Sequence, residues 1–402
     1  MVFLGDGYAA AELDLFAADV DRMAASMLSI EPYGAYADLF NVWRVDQASA
    51  ESGVSHYDGG RSEPRDTAYG CYYGCGGIDR LVCCDDAAVM GEVAESVPGA
   101  DGVMVLVNDP TYGGSGGYQY ATSYTDGRVG EQVVVHELGH SLVGLGDEYN
   151  YGASTSYPPR PNCADDPEAP PWTAWLDVEG VSVTAVCGYT NHYRPTDNGC
   201  MMRSLRDDYC VVCREQAVLS VYGALPSILA TVEPAPGSLT LPESGQAFAA
   251  TVLGDDPARF EAVWLLDGEP VGDGLTFALD GCDRGGTLEL AVQDPTPWVR
   301  LDPAGLLVDG ATWTLEGCGG SDGADGADGA DGEGGSDGVG EGDSGDRGDA
   351  AGPGVTAGPA DESEAAGCGC ATGGGPLGWL LVAPALAVAR RRSSGPRGGP
   401  VR

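Results

Sequence analysis

The sequence predicts an α/β domain with one mixed, twisted sheet and a motif-bearing helix, followed by an all-β sandwich, a disordered acidic linker and a short apolar C-terminal segment. Three observations support this order. Strand-like and helix-like apolar patterns alternate in the first half of the chain, short β-like runs between turns come next, and a Gly- and Asp-rich stretch follows. The assigned segments are an N-terminal domain at 1–225, a β module at 226–317, a linker at 318–367, a Cys/apolar/Arg segment at 368–392 and a basic tail at 393–402.

The spacing of apolar residues along the chain predicts the helices and strands of the N-terminal domain. Within 9–28, apolar side chains recur every three or four positions, which is helical spacing. Residues 102–109 contain an unbroken apolar run, as buried strands do. The other predicted elements are strands at 2–4 and 39–47, a glycine-rich loop leading into an aromatic strand at 111–124, and helices at 131–143 and 207–225, while 50–87 and 150–200 are predicted to be loop-rich or irregular.

The β module is predicted from six short β-like runs after Pro226. Trp264 suits a central strand of an immunoglobulin-like sandwich. The linker that follows has almost no large apolar residues and cannot bury a core. The apolar stretch at 376–389 is 14 residues long, shorter than the ~20 residues of a spanning helix. The arginines at 390–392 predict a cytoplasmic C-terminus with the rest of the chain outside.

Net charge and cysteine content restrict the classes of function. The formal charge of −41 argues against nucleic-acid binding and disfavours anionic membrane surfaces. Thirteen cysteines indicate an oxidising compartment. We expect disulfides among Cys71, Cys75, Cys83 and Cys84 rather than a structural zinc site, a disulfide rather than a redox pair at Cys210 and Cys213, and a pairing of Cys282 with Cys318.

The sequence HELGH at 136–140 carries the predicted chemistry. On a helix, His136 and His140 are four residues apart and present both imidazoles on one face, where they can bind zinc. Zinc lowers the pKa of its water to about 7. Glu137 lies beside the pair, where it can take that proton as general base and pass it to a leaving amine. Because two of the four histidines of the chain are in this motif, a zinc site is favoured over a chance match.

A third zinc ligand is needed, but the residue at its usual position has no side chain. The tenth residue after the first histidine, where the extended HExxHxxGxxH motif has its ligand, is a glycine here. In that motif the ligand also lies three residues after the glycine that ends the helix. Counting from Gly144 gives Asp147, and zinc accepts carboxylate oxygen. Glu148 is the alternative, and Glu168 or Glu179 is a weaker one because its surroundings are not helical.

Two further features of the sequence belong with this motif. Met201 and Met202 follow in the segment NGCMMRSL, and a methionine turn beneath the zinc is a hallmark of the metzincin peptidases. We interpret the pair as that turn rather than as two core residues. Tyr149, His192 and Tyr193 are candidates to stabilise the transition state, and a tyrosine is favoured over the histidine.

Five blocks of the sequence resemble the IgA-peptidase family of zinc metallopeptidases: FLGDGYAAAELDLFAADV, SIEPYGAYADLFNVW, VNDPTYGGSGG, HELGHSLVGLGDEY and YRPTDNGCMMRSL. The resemblance covers about residues 2–220. The family's name does not establish immunoglobulin A as the substrate. The resemblance implies a metzincin-like catalytic domain with zinc on His136, His140 and Asp147, Glu137 as general base, and Met201 or Met202 in the turn.

The tail resembles the myxobacterial C-terminal sorting signal, which combines a Cys motif, here Cys368 and Cys370, with an apolar segment and an Arg cluster. This resemblance implies membrane contact before processing near the cysteines, and then retention at the cell surface. We therefore expect an extracellular or surface-anchored protein. We also expect that its signal peptide is missing from this chain, because Met1 runs directly into a strand-like segment.

The predicted function is a zinc-dependent endopeptidase, secreted or surface-anchored, that hydrolyses protein or peptide substrates. One alternative is a catalytically inactive zinc-binding surface adhesion protein. The intact Glu137 argues against it. The other alternative is a zinc amidase that acts on cell-wall peptides, which shares the chemistry and differs in the substrate.

Overall fold

The computed structural model describes residues 1–117, 119–153, 158–197 and 199–318, together with the backbone of 398–401. The predicted linker beyond Cys318 and the predicted segment at 368–392 lie outside these described residues. The helices of the described chain are α1 (Leu13–Met27), α2 (Asp86–Ser96), α3 (Gly127–Ser141) and α4 (Val211–Ala224), and short 3-10 turns occur at Ala10–Glu12, Ala37–Leu39, Cys75–Gly77, Thr173–Trp175 and Pro257–Arg259.

The strands fall into two groups, with one more near the C-terminus. Those of the N-terminal domain are β1 (Val2–Asp6), β2 (Val42–Val45), β3 (Ser55–His56), β4 (Tyr72–Tyr73), β5 (Val82–Cys83), β6 (Val103–Val107), β7 (Gly114–Gly116), β8 (Ala121–Tyr124), β9 (Val181–Cys187) and β10 (Tyr189–Thr196). Those of the second group are β11 (Leu229–Glu233), β12 (Gly237–Thr240), β13 (Gln246–Val252), β14 (Glu261–Leu266), β15 (Glu269–Asp273), β16 (Thr276–Leu279), β17 (Gly286–Gln293) and β18 (Val308–Glu316). The further strand is β19 (Gly398–Val401).

A six-stranded sheet forms the centre of the N-terminal domain, in the order β19-β2-β1-β6-β8-β7. β2, β1, β6 and β8 are parallel, whereas β7 and β19 pair antiparallel at the two edges. Successive residues of a strand face opposite sides of the sheet. Phe3 and Met104 therefore pack in the cluster that includes α1 and α3, while Leu4 and Val105 pack in the cluster that includes α2. The predicted α/β architecture with a mixed sheet is confirmed for this part of the chain.

Two parts of this domain differ from the sequence-based prediction. α2 was not predicted. It begins where the Asp85 carboxylate accepts hydrogen bonds from the N–H groups of Ala87 and Ala88, at 2.9 and 3.1 Å. β9 and β10 form an antiparallel hairpin inside 150–200, so the prediction of an irregular segment there is wrong. The run VSVTAV at 181–186 carries the β-branched residues that favour such a strand.

The cysteines are correctly predicted in part. The pairs Cys71–Cys84, Cys75–Cys83 and Cys282–Cys318 are disulfides, and Cys163–Cys187 is a further one. The predicted disulfide between Cys210 and Cys213 is wrong, because both thiols are unpaired and lie in a buried cluster with Cys200.

The strands of the second group form two sheets. One has the order β11-β13-β16 and the other the order β12-β18-β17-β14-β15. Phe248 of the first sheet contacts Trp264 and Trp313 of the second, with ring centroids 5.9 and 5.2 Å apart. Trp264 and Trp313 are fully buried. Two sheets therefore pack through an aromatic core, while the immunoglobulin-like type of this module and its boundaries stay predictions.

The membrane prediction for the tail concerns residues outside the described part of the chain. Among the residues that the structure describes, no helix is both long enough and apolar enough to cross a membrane.

Candidate metal centre

α3 carries the HELGH motif near its C-terminal end, on the side that faces the interior of the domain. Val133, Val134 and Val135 are buried and fix the helix against the interior of the domain. His136 and His140 lie one helical turn apart and therefore share a face. Their ring centroids are 4.9 Å apart, and the rings are perpendicular.

A turn after α3 brings a carboxylate to both histidines. The helix ends at Ser141, and Gly144 has a φ of 77°, a left-handed conformation that glycine adopts without strain. The chain then returns to the helix, so that Asp147 Oδ1 lies 3.1 Å from His136 Nε2 and 3.3 Å from His140 Nε2. The structure thus places Asp147 beside both histidines, where the sequence predicts the third ligand.

The distances from Asp147 Oδ1 to the two histidine nitrogens are close to those between zinc ligands. Zinc bonds of ~2.0–2.2 Å at tetrahedral angles place two ligand atoms roughly 3.3–3.5 Å apart. His136 Nδ1 donates to the Met201 carbonyl at 3.0 Å, and His140 Nδ1 donates to the Leu145 carbonyl at 2.8 Å. Both Nε2 lone pairs therefore face Asp147 Oδ1, which has no hydrogen-bond donor among the described residues. A shared cation satisfies all three acceptors.

The charges of the cluster also favour a cation. Burial lowers the pKa of His140, but the negative charge of Asp147 outweighs burial and raises it to about 9. Burial opposes a rise at His136 too, yet the neighbouring Asp147 carboxylate raises that pKa. Burial alone would raise the pKa of Asp147, whereas the two histidines hold it well below its usual range. For Glu137, burial raises the pKa despite both histidines.

Glu137 borders an open cleft of about 460 Å³. A carboxylate oxygen of Glu137 lies within 4.8 Å of a ligand nitrogen of each histidine. Tyr149 and Arg80 also line the cleft, with Arg80 Nη2 3.4 Å from the Tyr149 hydroxyl. The Tyr149 ring stacks on His136 with centroids 6.4 Å apart. A larger cavity, of about 670 Å³, lies elsewhere and is lined by none of these residues.

Tyr151 holds the other oxygen of Asp147 and was missed by sequence reasoning. Its hydroxyl donates to Asp147 Oδ2 and lies 3.1 Å from the Tyr149 hydroxyl. Arg80 was missed as well. It lies in the loop closed by the Cys75–Cys83 disulfide, far from the motif in sequence. Neither residue belongs to a periodic pattern in the sequence.

Met201 and Met202 lie against α3 and the segment that follows it. Both side chains are buried. The Met201 carbonyl accepts from His136, and the Met202 carbonyl accepts from the N–H of Glu148 at 2.8 Å. A Cβ atom added to Gly139 would come within 2.8 Å of Met202 Sδ, which shows how closely this side chain packs on the helix. The role of this pair as a methionine turn stays a prediction.

The remaining predicted residues lie elsewhere. His192 and Tyr193 are on β10, and neither is among the described residues that line the cleft. Of the three candidates for transition-state stabilisation, Tyr149 is the one among the residues that line this cleft. Glu168 and Glu179, the weaker alternatives for the third ligand, are exposed. Glu148 is buried, and its carboxylate lies in a cluster with Cys200, Cys210 and Cys213.

The glycine-rich segment lets β7 lie directly against α3. A Cβ atom on Gly116 would be 2.5 Å from His140 Cβ and 2.6 Å from the Glu137 carbonyl oxygen. At Gly114, an added Cβ would be 2.8 Å from Val133 Cγ1. Distances this short exclude any side chain without movement of the helix. The glycines therefore set the close packing of β7 against the motif.

Comparison with known sequences agrees with this geometry. Residues 1–181 match the model of a family described as IgA Peptidase M64. The match confirms the resemblance to this family over four of the five sequence blocks, and it contains α3, Asp147 and Glu148. The fifth block, YRPTDNGCMMRSL, with Met201 and Met202, lies beyond it. No curated protein matches the chain.

Proposed function

We infer that this chain, whose residues 1–181 match the model of the IgA peptidase M64 family, is a zinc-dependent endopeptidase that cleaves protein substrates. The family is one of metal-dependent peptidases, so a hydrolase of peptide bonds is the starting point. The convergence of His136 Nε2, His140 Nε2 and Asp147 Oδ1, at 3.1 and 3.3 Å, supports zinc as the metal. The donor set of two nitrogens and one carboxylate oxygen leaves a coordination position open, as catalytic zinc requires.

When bound by these three residues, zinc supplies Lewis acidity, which polarises a peptide carbonyl and lowers the pKa of a water molecule to about 7. Glu137 moves the proton. Its carboxylate borders the cleft. Burial raises the pKa of this carboxylate, which makes it a better proton acceptor near neutral pH. It takes the proton of the attacking water and then donates it to the leaving amine.

Tyr149 and Arg80 are the proposed stabilisers of the charge that develops on the substrate carbonyl. Both line the cleft beside His136. The Tyr149 hydroxyl is a neutral donor, because burial raises its pKa far above neutral pH. Arg80 adds a positive charge 3.4 Å from that hydroxyl. Donors aimed at a developing oxyanion commonly account for factors of about 10²–10³ in rate.

The test of this function separates zinc binding from catalysis. We would purify the full-length chain, quantify its zinc and measure casein cleavage for the wild type, Glu137→Gln and a matched control, Glu168→Gln, at an exposed glutamate. We expect Glu137→Gln to keep its zinc and to lose at least about 100-fold in cleavage rate. The control should match the wild type. Full cleavage by Glu137→Gln, or a wild type without zinc, would contradict the proposal.

The two alternatives are decided by substrate. An inactive adhesion protein would cleave neither casein nor peptidoglycan, so the Glu137→Gln substitution would not change the result of either assay. An amidase would release peptides from peptidoglycan and leave casein intact. We propose protein substrates because the matching family is one of peptidases.

We also propose that the protein works outside the cytoplasm, attached through its C-terminal segment. The disulfides in the described residues support this location, because such bonds form and persist in oxidising compartments. Protease treatment of intact cells, followed by immunodetection, tests the location. A chain that is protected in intact cells and cleaved only after lysis would contradict it.

A further inference from the structure

We propose that a second zinc ion binds to Glu148, Cys200, Cys210 and Cys213, in a closed site that positions the first centre without taking part in the reaction. All four side chains are buried. One ligand atom from each lies within 4.8 Å of the corresponding atom of the other three. Three sulfur atoms and one oxygen fill all four positions of a tetrahedral site, which is the arrangement of structural zinc.

The interatomic distances fit a metal better than a covalent bond. Zinc–sulfur bonds of ~2.3 Å at tetrahedral angles place two sulfur atoms roughly 3.8 Å apart. Cys200 Sγ lies 3.5 Å from Cys213 Sγ, and Cys213 Sγ lies 3.8 Å from Glu148 Oε1. A disulfide brings the two sulfur atoms to ~2.05 Å. The cysteines are therefore gathered around a common point and are not bonded in pairs.

The environment of the Glu148 carboxylate favours a cation beside it. Its Oε1 atom accepts a hydrogen bond from Asn162 Nδ2 at 3.1 Å, while Oε2 is buried and has no hydrogen-bond partner among the described residues. Asn162 is itself fixed by bonds of 2.7 and 2.8 Å to the backbone of Gly146. A buried carboxylate oxygen without a donor is costly unless a cation lies beside it. The amide of Asn162 orients the carboxylate toward the three cysteines, as outer groups orient metal ligands.

The state of the cysteines supports the same conclusion. The described residues contain four disulfides, which indicates folding under oxidising conditions. Under such conditions two of three neighbouring thiols would be expected to form a disulfide. Cys200, Cys210 and Cys213 are nevertheless unpaired. Coordination as thiolates protects sulfur from that reaction. Cys210 and Cys213 also have the C-x₂-C spacing of zinc ligands, and soft thiolates favour zinc over hard cations.

The second site would connect the segments that shape the first. Glu148 directly follows Asp147, and Cys200 directly precedes Met201, whose carbonyl orients His136. Cys210 is the N-cap of α4, and Cys213 lies in its first turn. One ion would thus tie the third-ligand segment, the methionine segment and α4 together. Its role is positional, because the cluster is separate from the cleft that Glu137 borders.

The first experiment counts and distinguishes the metals in the full-length chain. We expect two zinc ions per wild-type chain and one in His136→Ala/His140→Ala. After replacement with Co²⁺, the histidine variant should keep a thiolate-to-cobalt charge-transfer absorption. A Cys368→Ser/Cys370→Ser variant, which removes thiols outside the cluster, should keep both metals. Absence of the charge-transfer absorption in the histidine variant would overturn the proposal, and it would leave the endopeptidase proposal intact.

The second experiment uses the wild type, because a cysteine variant of this cluster can simply fail to fold. The protein is alkylated with and without a chelator, and the labelled cysteines are identified by peptide mapping. We expect alkylation of Cys200, Cys210 and Cys213 to increase at least about tenfold when the chelator removes the metal. A Cys200–Cys213 disulfide in the purified chain, or alkylation that the chelator does not change, would overturn the proposal.

Discussion

Asp147 and Glu148 are consecutive residues whose carboxylates lie in two different buried clusters. Asp147 Oδ1 is 3.1 Å from His136 Nε2, whereas Glu148 Oε1 is 3.8 Å from Cys213 Sγ. Counting along the sequence leaves both residues open as the third zinc ligand. The geometry favours Asp147, and it gives Glu148 a separate set of partners.

Conservative substitutions distinguish these two carboxylates. Asp147→Asn removes the negative charge that faces both histidines, so we expect the zinc affinity of the first centre to fall at least about tenfold, with loss of casein cleavage. Glu148→Gln should keep the metal that His136 and His140 bind. Chelator competition and cleavage assays on the two variants measure these effects. The reverse order of effects would move the third ligand to Glu148.

Tyr151 should matter for metal affinity although it is not a ligand. Its hydroxyl donates to Asp147 Oδ2 and fixes the direction of Oδ1. Loss of such an outer hydrogen bond typically costs about 10–100-fold in metal affinity or activity. We expect Tyr151→Phe to show a loss in this range by zinc titration. Tyr57→Phe, at an exposed tyrosine, is the control, and equal affinities of the two variants would contradict the assigned role.

Gly116 should tolerate no side chain. A Cβ atom would be 2.5 Å from His140 Cβ and 2.6 Å from the Glu137 carbonyl oxygen, and both belong to a packed helix that cannot move freely. Overpacking of this kind costs about 1–3 kcal/mol. We expect Gly116→Ala to lower the free energy of unfolding by that amount, measured by urea denaturation, and to weaken zinc binding.

Gly91→Ala is the matched control for that substitution. Gly91 is exposed on α2, and an added Cβ there has no heavy atom within 4 Å. Alanine in a helix is favoured over glycine by about 1 kcal/mol, so this variant should be slightly stabilised. A Gly116→Ala protein as stable as Gly91→Ala would show that β7 is free to move away from α3.

The arrangement of the HELGH motif and Asp147 could be predicted from the sequence because its geometry is local. A helix fixes the relative positions of His136 and His140, and the Gly144 turn fixes Asp147 three residues later. The buried strands were predictable for the same reason, since an apolar run such as that of β6 needs no partner to be recognised. Such features depend on spacing within a short segment.

The rest of the site depends on contacts between distant segments. Arg80 reaches the cleft from a disulfide-closed loop, and Met201 lies 65 positions from the histidine that its carbonyl accepts from. The cysteine cluster combines Glu148 with residues about fifty or more positions later. The C-x₂-C spacing of Cys210 and Cys213 is compatible with a disulfide and with a metal site. This spacing alone therefore does not distinguish the two, and the disulfide that it predicted is wrong.

Arg259 connects the β module to the segment that precedes β2. Its ion pair with Asp38 should make the free energy of unfolding depend on pH. It donates to the Asp38 carboxylate and, at 2.9 Å, to the Ala35 carbonyl. Its guanidinium lies 5.0 Å from the centre of the Tyr36 ring. Burial would raise the pKa of Asp38, but the bonds from Arg259 and from the N–H of Asp255 outweigh burial and hold it below the usual 3.8.

A lowered carboxyl pKa stabilises the fold above the unfolded-state value, and the stabilisation is lost as the pH falls through the folded-state value. We therefore expect Arg259→Met to cost about 1 kcal/mol at neutral pH, a modest figure because the pair is partly exposed. The difference from the wild type should shrink as the pH falls below 3.8, the unperturbed pKa of Asp38. Urea denaturation across this pH range measures it, with Arg128→Met, at an exposed arginine, as control. A difference that is constant with pH would assign the effect of Arg259 to its contact with Tyr36 instead of to Asp38.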